Sequence, residues 1–474
     1  MKKILIYLAV IFLMAAGCTK ELTSLNVDPK NPSTSPSYAF FTNAQRAFAN
    51  TMTSSNVNLN IFRLITQYWQ ETTYTDESNY DLATREINDA VWNALFRDAL
   101  RDFQEAKNLI PSDVPDATLQ KNQLAITEIM QIYAFYYLVT TYGNIPYSQA
   151  LDIDNPFPVY DDAATAYSDL LTRLDAAVGN LDVAGESFGS ADIIYGGDVA
   201  LWKKFGNSLK LKMGMTIADV DAAKAKTVVE SAVTSGVFTS NDDNAKFAYQ
   251  GAPPNTNPIW VDLVQSGRQD FVAATTIVEE MKDRSDPRIP LYFTVDGSGV
   301  YSGLDPGVAG SYSAFSKPDE AIVAPDFPAT LLDYAEVEFL LAEAIQRGFA
   351  VGGTAVTHYN NAITASILDW GGTEAQATAY LAQPTVIFNP ANWKESIGVQ
   401  KWIALYNRGF EAWIEWRRLD YPQLLPAADA DPQVIPVRYP YPVNEQNVNT
   451  TNYKAAADAI GGDEKETKLW FDKF

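Results

Sequence analysis

The strongest constraint on the fold is a helical repeat of apolar residues that returns along most of the chain. Apolar side chains recur every three or four residues in 87–103 and in 119–142, and Pro111 and Gly143 follow these two runs. The same spacing is found in five later stretches: 160–181, 198–218, 221–235, 331–347 and 354–368. This pattern predicts a mainly α-helical protein in which neighbouring helices pack as pairs.

The clearest predicted pair is formed by 331–347 and 354–368. Ala335 and Ala342 alternate with the larger Phe339 on the first of these helices. Small residues on a helix face let a second helix approach closely, as in tetratricopeptide-like helix pairs. We therefore expect a scaffold of such pairs, with long irregular loops and little β structure.

One long segment interrupts the helical pattern. From about residue 238 to 312 the chain is rich in Asn, Gly, Pro and Ser, with isolated aromatic residues. Such a composition predicts a loop-rich insertion that projects from the scaffold, and the run 291–295 is consistent with a short hairpin.

The amino terminus predicts secretion and lipid attachment. Lys2 and Lys3 precede an apolar run over 4–16, which is shorter than the ~20 residues of a membrane-spanning helix. Cys18, the only cysteine, follows directly after small residues. We expect 1–17 to be a signal peptide, 18–37 to be a lipidated cysteine with a flexible tether, and 38–474 to be a single helical domain.

Composition excludes several classes of function. The formal net charge is −23, so the chain lacks the basic surface that nucleic acids require. With one cysteine and one histidine, His358, it has neither an internal disulfide nor a His/Cys zinc cluster. We expect no cofactor; the acidic clusters near 152–162 and 241–243 are the places where structural calcium would bind, although neither follows the EF-hand pattern.

Nucleotide-binding motifs are absent from the sequence. The chain has neither a phosphate loop nor a dinucleotide fingerprint, which favours a binding protein over an enzyme. Glycosidases need only two carboxylates, however, and 58 acidic residues leave such a pair open. The alternative to a binding protein is a secreted, lipid-anchored helical hydrolase of glycans or peptides.

Aromatic residues among amides and hydroxyls mark the candidate ligand site. Flat rings stack on the apolar faces of sugars while neighbouring polar groups bond their hydroxyls, and peptides are also suitable ligands. A competing interpretation is that the first two of these aromatic residues finish a helix and pack inward. The candidate residues are Tyr68, Trp69, Tyr74 and Tyr80 near the start, with Trp260, Arg268 and Tyr292 from the middle loops. By contrast, Trp413 and Arg418 are expected to be structural.

Several strings resemble the SusD/RagB family of lipoproteins, in family order along nearly the whole mature chain. They include the sequences at 67–69, 142–147, 190–198, 286–288, 402–406, 411–418 and 440–445.

The resemblance implies a nutrient-binding lipoprotein at the outer membrane, facing the cell exterior. Such a protein packs its tetratricopeptide-like helix pairs on a TonB-dependent, SusC-like β-barrel transporter. It delivers an oligosaccharide, or a peptide, to that transporter and is not an enzyme. An early aromatic cluster and loops from the middle of the chain form the ligand surface in the family.

Overall fold

A computed structural model describes residues 35–474. The predicted signal peptide, the lipidated Cys18 and most of the predicted tether lie outside the described residues. The first helix begins at Ser37, the last residue of the predicted tether, and the backbone N–H of Ser37 donates to Asp113 Oδ2 at 2.7 Å.

Helices dominate the described chain, as predicted. Those of four or more residues are α1 (Ser37–Thr53), α2 (Phe62–Ile65), α3 (Ile87–Asn93), α4 (Arg101–Asp113), α5 (Ala117–Tyr142), α6 (Ala163–Asn180), α7 (Val199–Thr216), α8 (Ala222–Ser235), α9 (Thr275–Asp283), α10 (Ile289–Tyr292), α11 (Tyr334–Gln346), α12 (Ala355–Asp369), α13 (Glu374–Leu381), α14 (Trp393–Ala404), α15 (Gly409–Leu419), α16 (Val443–Val448) and α17 (Thr450–Ala459). A π-helical segment, Ala94–Leu100, joins α3 to α4.

Polar residues fix where the long helices begin. The side chains of Asp116, Asp162, Asp198 and Asp333 each accept a hydrogen bond from a backbone N–H in the first turn of α5, α6, α7 and α11. These bonds satisfy donors that have no partner within the helix, and one such cap contributes about 1 kcal/mol. The caps therefore fix the starts of these four helices.

Sequence neighbours pack against each other, which confirms the predicted helix pairs. The helix α11 packs along α12, α7 packs along α8, and α6 lies against both α5 and α7. Gly206 permits the close approach of α7 to α6, because a Cβ at this position would lie 2.4 Å from Val178 Cγ2. A larger residue at position 206 would push these helices apart.

Two short antiparallel sheets connect distant parts of the chain. Strand β1 (Trp69–Glu71) pairs with β3 (Phe271–Ala273), and β2 (Ala245–Phe247) pairs with β4 (Ala329–Leu332). The predicted hairpin at 291–295 is wrong, because Ile289–Tyr292 form one helical turn and Phe293 bridges to the distant Pro318. The mostly irregular chain after α8 extends beyond residue 312 to the start of β4.

Buried ion pairs hold the carboxyl-terminal helices together. Arg418 on α15 is 1% exposed and contacts Glu343 of α11 at 2.5 Å and Glu415 at 2.6 Å. Lys401 of α14 reaches the same Glu415 at 2.8 Å. Trp413, on the same helix as Arg418, is fully buried, and its Nε1 donates to the carbonyl of Pro436 at 2.7 Å. The prediction that Trp413 and Arg418 are structural is therefore confirmed.

Candidate functional site

The candidate site is built on the edge of the β1–β3 sheet, where loops from three parts of the chain meet. Trp69 pairs with Ala273, and the pairing continues through Glu71 and Phe271. Beyond the strands, the backbone N–H of Thr72 donates to the carbonyl of Asp270 at 2.8 Å. The loop after β1 and the loop before β3 are thereby fixed side by side.

A third loop, 302–314, is bonded to the outside of β1. The N–H of Gly307 donates to Gln70 Oε1 at 2.9 Å, and the N–H of Gly310 donates to the carbonyl of Thr72 at 2.9 Å. Gly307 has a φ of +84°, and a Cβ there would lie 2.2 Å from Asn79 Oδ1. Only glycine fits this contact, which holds the loop against the sheet.

Tyr74 is the most exposed of the predicted site residues. Its side chain is 81% exposed, and its backbone lies in the left-handed region with a φ of +56°. A bulky residue rarely adopts this conformation, because it costs on the order of 1 kcal/mol. A strained backbone that presents an unburied ring to solvent indicates recognition rather than packing.

The loop that carries Tyr74 is closed by a buried carboxylate. Glu71 Oε2 accepts hydrogen bonds from the backbone N–H of Ser78 at 3.0 Å and from its hydroxyl at 2.9 Å. Burial, and then the neighbouring Glu77, raise the pKa of Glu71 to about 8. Glu71 is therefore largely protonated at neutral pH, and the order of the loop depends on this buried acid.

Next to the sheet edge lies a cavity of about 240 Å³ with mixed polar and aromatic walls. Arg268 forms an exposed ion pair with Asp270 on one wall. On another wall, Lys317 Nζ lies 5.0 Å from the ring centroid of Tyr312, within the range of a cation–π contact. Rings beside hydrogen-bonding side chains provide the contacts that a sugar or a peptide requires.

Four predicted site residues are buried instead of facing this surface. Tyr68 and Tyr292 are fully buried, and Trp69 and Tyr80 are each 1% exposed. Trp69 Nε1 donates to Tyr406 Oη at 2.9 Å. These four rings therefore pack in the core, as the competing interpretation proposed for Tyr68 and Trp69.

The polar atoms of the buried rings are used within the protein. The hydroxyl of Tyr68 donates to the carbonyl of Trp402, and that of Tyr292 donates to the carbonyl of Ile403 at 3.0 Å. The ring of Tyr292 also stacks on Tyr406, with centroids 4.1 Å apart. Neither the faces nor the hydroxyls of Tyr68 and Tyr292 are available to a ligand in this conformation.

The remaining two predicted residues lie close to the cavity. Arg268 lines it directly. Trp260 is half-buried at the end of a short helical turn, Pro258–Trp260, which leads into the cavity residues Leu263 and Val264. The structure thus places Arg268 at the site and Trp260 just before it.

Two residues of the cavity, Tyr312 and Lys317, were not among the predicted site residues. Tyr312 stands between Ser311 and Ser313, shortly after Gly310. An aromatic residue among Gly and Ser is typical of binding loops, so this local signal was present in the sequence.

Metal binding and membrane spanning find no support in the described part of the chain. Within residues 35–474, no three His, Cys, Asp or Glu side chains are grouped so as to hold a metal ion. In one predicted acidic cluster, Asp243 is bound by Lys204 at 2.7 Å; in the other, Asp161 accepts from the N–H of Tyr147 at 3.0 Å. None of the helices in this range is both long and apolar enough to cross a membrane.

Several solved structures share this architecture. A chitin-binding protein aligns with a TM-score of 0.82 and 26% identity, covering 92% of this chain and 100% of that chain. A chitin-binding SusD homolog from Flavobacterium johnsoniae gives 0.80 and 25%, covering 92% and 98%. A SusD homolog from Bacteroides uniformis gives 0.78 and 26%, covering 92% and 100%. A comparison with curated protein sequences finds no match.

These similarities define a helical protein of the SusD type, as the motifs in the sequence predicted. Residues 29–442 match the family SusD-like_2, described as starch-binding associating with outer membrane. The chain belongs to this family.

Proposed function

We propose that this protein binds oligosaccharide at the cell surface and does not cleave it. The observation that carries the proposal is the exposed ring of Tyr74, which stands on a strained backbone two residues after Thr72. The N–H of Thr72 donates to the carbonyl of Asp270, which lines the same cavity as Arg268 and Tyr312. A pyranose ring has an apolar face that stacks on tyrosine and hydroxyls that bond charged and amide side chains. Stacking and hydrogen bonding of this kind bind the sugar without a catalytic group.

The similar proteins favour glycans over peptides as ligands. Two of the similar structures are described as chitin-binding, and the family description names starch. Both polymers present pyranose rings, although chitin carries acetamido groups and starch only hydroxyls. We therefore take chitin oligosaccharides and malto-oligosaccharides as the two ligand series to compare.

Binding and hydrolysis are separated by one experiment. Purified protein is titrated calorimetrically with each oligosaccharide series and with a mixed peptide pool, and the mixtures are analysed for shorter products over time. We expect saturable binding of at least one oligosaccharide series with no new product. Products that increase with time in pure protein would support the hydrolase alternative, and binding of peptides alone would overturn the glycan assignment.

We further propose that lipidated Cys18 anchors the protein to the outer membrane, facing the exterior, where it delivers ligand to a TonB-dependent, SusC-like barrel. Two acyl chains on Cys18 would give the stable attachment that one chain does not. The protein would then act as a lid that moves on the segment 22–37. Co-purification of a barrel from solubilised membranes tests the partnership, and a protein that purifies without any barrel would contradict it.

Shortening the tether tests the lid separately. Deletion of several residues within 22–34 leaves the described helices intact, so binding in solution should be unchanged. Uptake of the bound oligosaccharide by cells should fall. Unchanged uptake would contradict the lid, while leaving oligosaccharide binding itself unaffected.

A further inference from the structure

A second cavity lies between the end of α1, the β2–β4 sheet and the corner that joins α14 to α15. Its volume is about 310 Å³. Tyr74, Arg268 and Tyr312 do not line this second cavity. It is therefore distinct from the candidate site at the edge of the β1–β3 sheet. The size is at the lower end of the range for ligand pockets, roughly 300–1,000 Å³, which suits a molecule of about one sugar ring.

Aromatic side chains form much of the wall. Trp370 lies 6.0 Å from Phe327 and 5.8 Å from Tyr406, measured between ring centroids. Trp370 and Phe327 are only half-buried, so part of this aromatic wall is in contact with solvent. Ring faces carry partial negative charge and attract cations as well as the C–H groups of sugars.

One carboxylate that lines the cavity has no salt-bridge partner in the described chain. Lys246 pairs with Asp369 at 2.7 Å, and Arg408 pairs with Asp333 at 2.9 Å. Asp319 accepts from the N–H of Ala321 at 3.0 Å but forms no salt bridge within residues 35–474. A partly buried carboxylate beside aromatic rings provides a favourable site for a small cation.

One buried donor also lacks a partner. Arg408 lines the cavity and is 9% exposed, and its Nε has no acceptor in the part of the chain that the structure describes. The guanidinium is otherwise occupied, since Nη2 donates to Glu336 Oε2 at 2.7 Å and to the carbonyl of Leu331 at 2.9 Å. A buried donor left unsatisfied costs about 1–3 kcal/mol, so a ligand oxygen that accepts from it would be stabilised.

We propose that this cavity binds a small polyhydroxylated primary amine of the size of one free amino sugar. The ammonium group would lie by Asp319 and the faces of Trp370 and Phe327, and a hydroxyl oxygen would accept from Arg408 Nε. This site shares no lining residue with the cavity beside the β1–β3 sheet. It would give the protein a receptor for the free cationic monomer in addition to the polymer.

Calorimetric titration at mildly acidic pH tests the proposal with three probes: glucosamine, N-acetylglucosamine and glucose. Only glucosamine carries a positive charge, so it should bind at least about tenfold more tightly than the two neutral sugars, as expected for a charge-assisted hydrogen bond. Absence of saturable glucosamine binding, or equal affinity for all three, would overturn the proposal.

Three variants test whether glucosamine binds in this cavity. Asp319→Asn removes the charge but keeps the shape, and it should weaken glucosamine binding about tenfold. Thr330→Trp, on the cavity wall, should fill the space and abolish binding; Thr330 is half-buried in β4, where an aromatic residue is compatible with a strand. Tyr74→Ala is the control and should bind glucosamine like the unchanged protein.

Each variant result decides the assignment. If Asp319→Asn binds glucosamine as tightly as the unchanged protein, or if Tyr74→Ala loses that binding, the cavity is not the site. Asp319 is half-buried, and Asp319→Asn keeps the shape of the side chain, so this variant still tests the proposal if Thr330→Trp fails to fold.

Discussion

Trp69 and Tyr74 are five positions apart and have opposite roles. Trp69 is 1% exposed in β1, and its indole N–H donates to Tyr406. Tyr74 is 81% exposed on a left-handed backbone. One aromatic-rich segment thus holds both a buried ring that anchors strand β1 and the exposed ring that we propose contacts the oligosaccharide.

The difference follows from what covers each side chain. Strand β1 is covered on one side by β3 and on the other by the loop 302–314, so all three of its residues are buried. After Thr72 the chain leaves the sheet, and Glu71 closes the loop through Ser78. The turn places Tyr74 outside this cover. Burial of the first ring therefore provides the rigidity that the exposed ring needs.

The largest predicted effect is on stability, from Trp69→Ala. Removing a buried indole leaves a cavity and deprives Tyr406 Oη of its donor, so the free energy of unfolding should fall by about 3–5 kcal/mol. Chemical denaturation measures this change. Tyr74→Ala is the matched comparison and should stay within about 0.5 kcal/mol of the unchanged protein. Similar losses for both variants would break the distinction between the two residues.

The next effect is a pH dependence carried by Glu71. Its pKa in the folded state is about 8, raised from 4.5, so folding favours the protonated acid. The stability this group contributes is complete below about pH 4.5 and is lost as the pH rises to about 8. Glu71→Gln cannot lose this proton, and the glutamine Oε1 can still accept from Ser78.

We therefore expect Glu71→Gln to be more stable than the unchanged protein at pH 8 and to show a flatter dependence between pH 5 and 8. Urea denaturation at pH 5 and pH 8 measures the stability of both proteins. The control is Asp76→Asn, because Asp76 is an exposed acid in the same loop. Parallel pH profiles for Glu71→Gln and the unchanged protein would exclude Glu71 as the titrating group.

A smaller effect on oligosaccharide binding is expected from Arg268, which lines the cavity next to the β1–β3 sheet. Arg268 is half-exposed and pairs with Asp270, so Arg268→Gln should leave stability unchanged. If the guanidinium donates to the oligosaccharide, the dissociation constant should rise about two- to fivefold, as measured by calorimetry. If Arg268→Gln has the same dissociation constant as the unchanged protein, Arg268 does not contact the oligosaccharide and only the aromatic residues remain as candidates.

The sequence predicted the scaffold well because helices depend on local patterns. The apolar spacing of 331–347 and 354–368 corresponds to α11 and α12, and aspartates such as Asp333 mark where helices begin. The two sheets were not foreseen, since their strands are short and pair across long separations. No periodicity within three residues distinguishes β1 from a loop.

The site was predicted only in part, for the same reason. Which ring is buried depends on partners far along the chain: Trp69 bonds Tyr406 337 positions away, and Tyr406 in turn donates to the carbonyl of Tyr292 114 positions away. Local composition marks a region as aromatic and polar without showing which residues are covered. Tyr74 and Arg268 are on the surface, whereas Tyr68, Trp69, Tyr80 and Tyr292 are not.

The most direct test compares oligosaccharide binding by the unchanged protein, Tyr74→Ala and Tyr38→Ala. Tyr38 is also exposed, at 54%, but lies on α1 outside the surface cavity. Calorimetry with the better of the chitin and malto-oligosaccharide series should show a dissociation constant at least about tenfold weaker for Tyr74→Ala and unchanged for Tyr38→Ala. Equal affinity for Tyr74→Ala and the unchanged protein would contradict a binding face built around Tyr74.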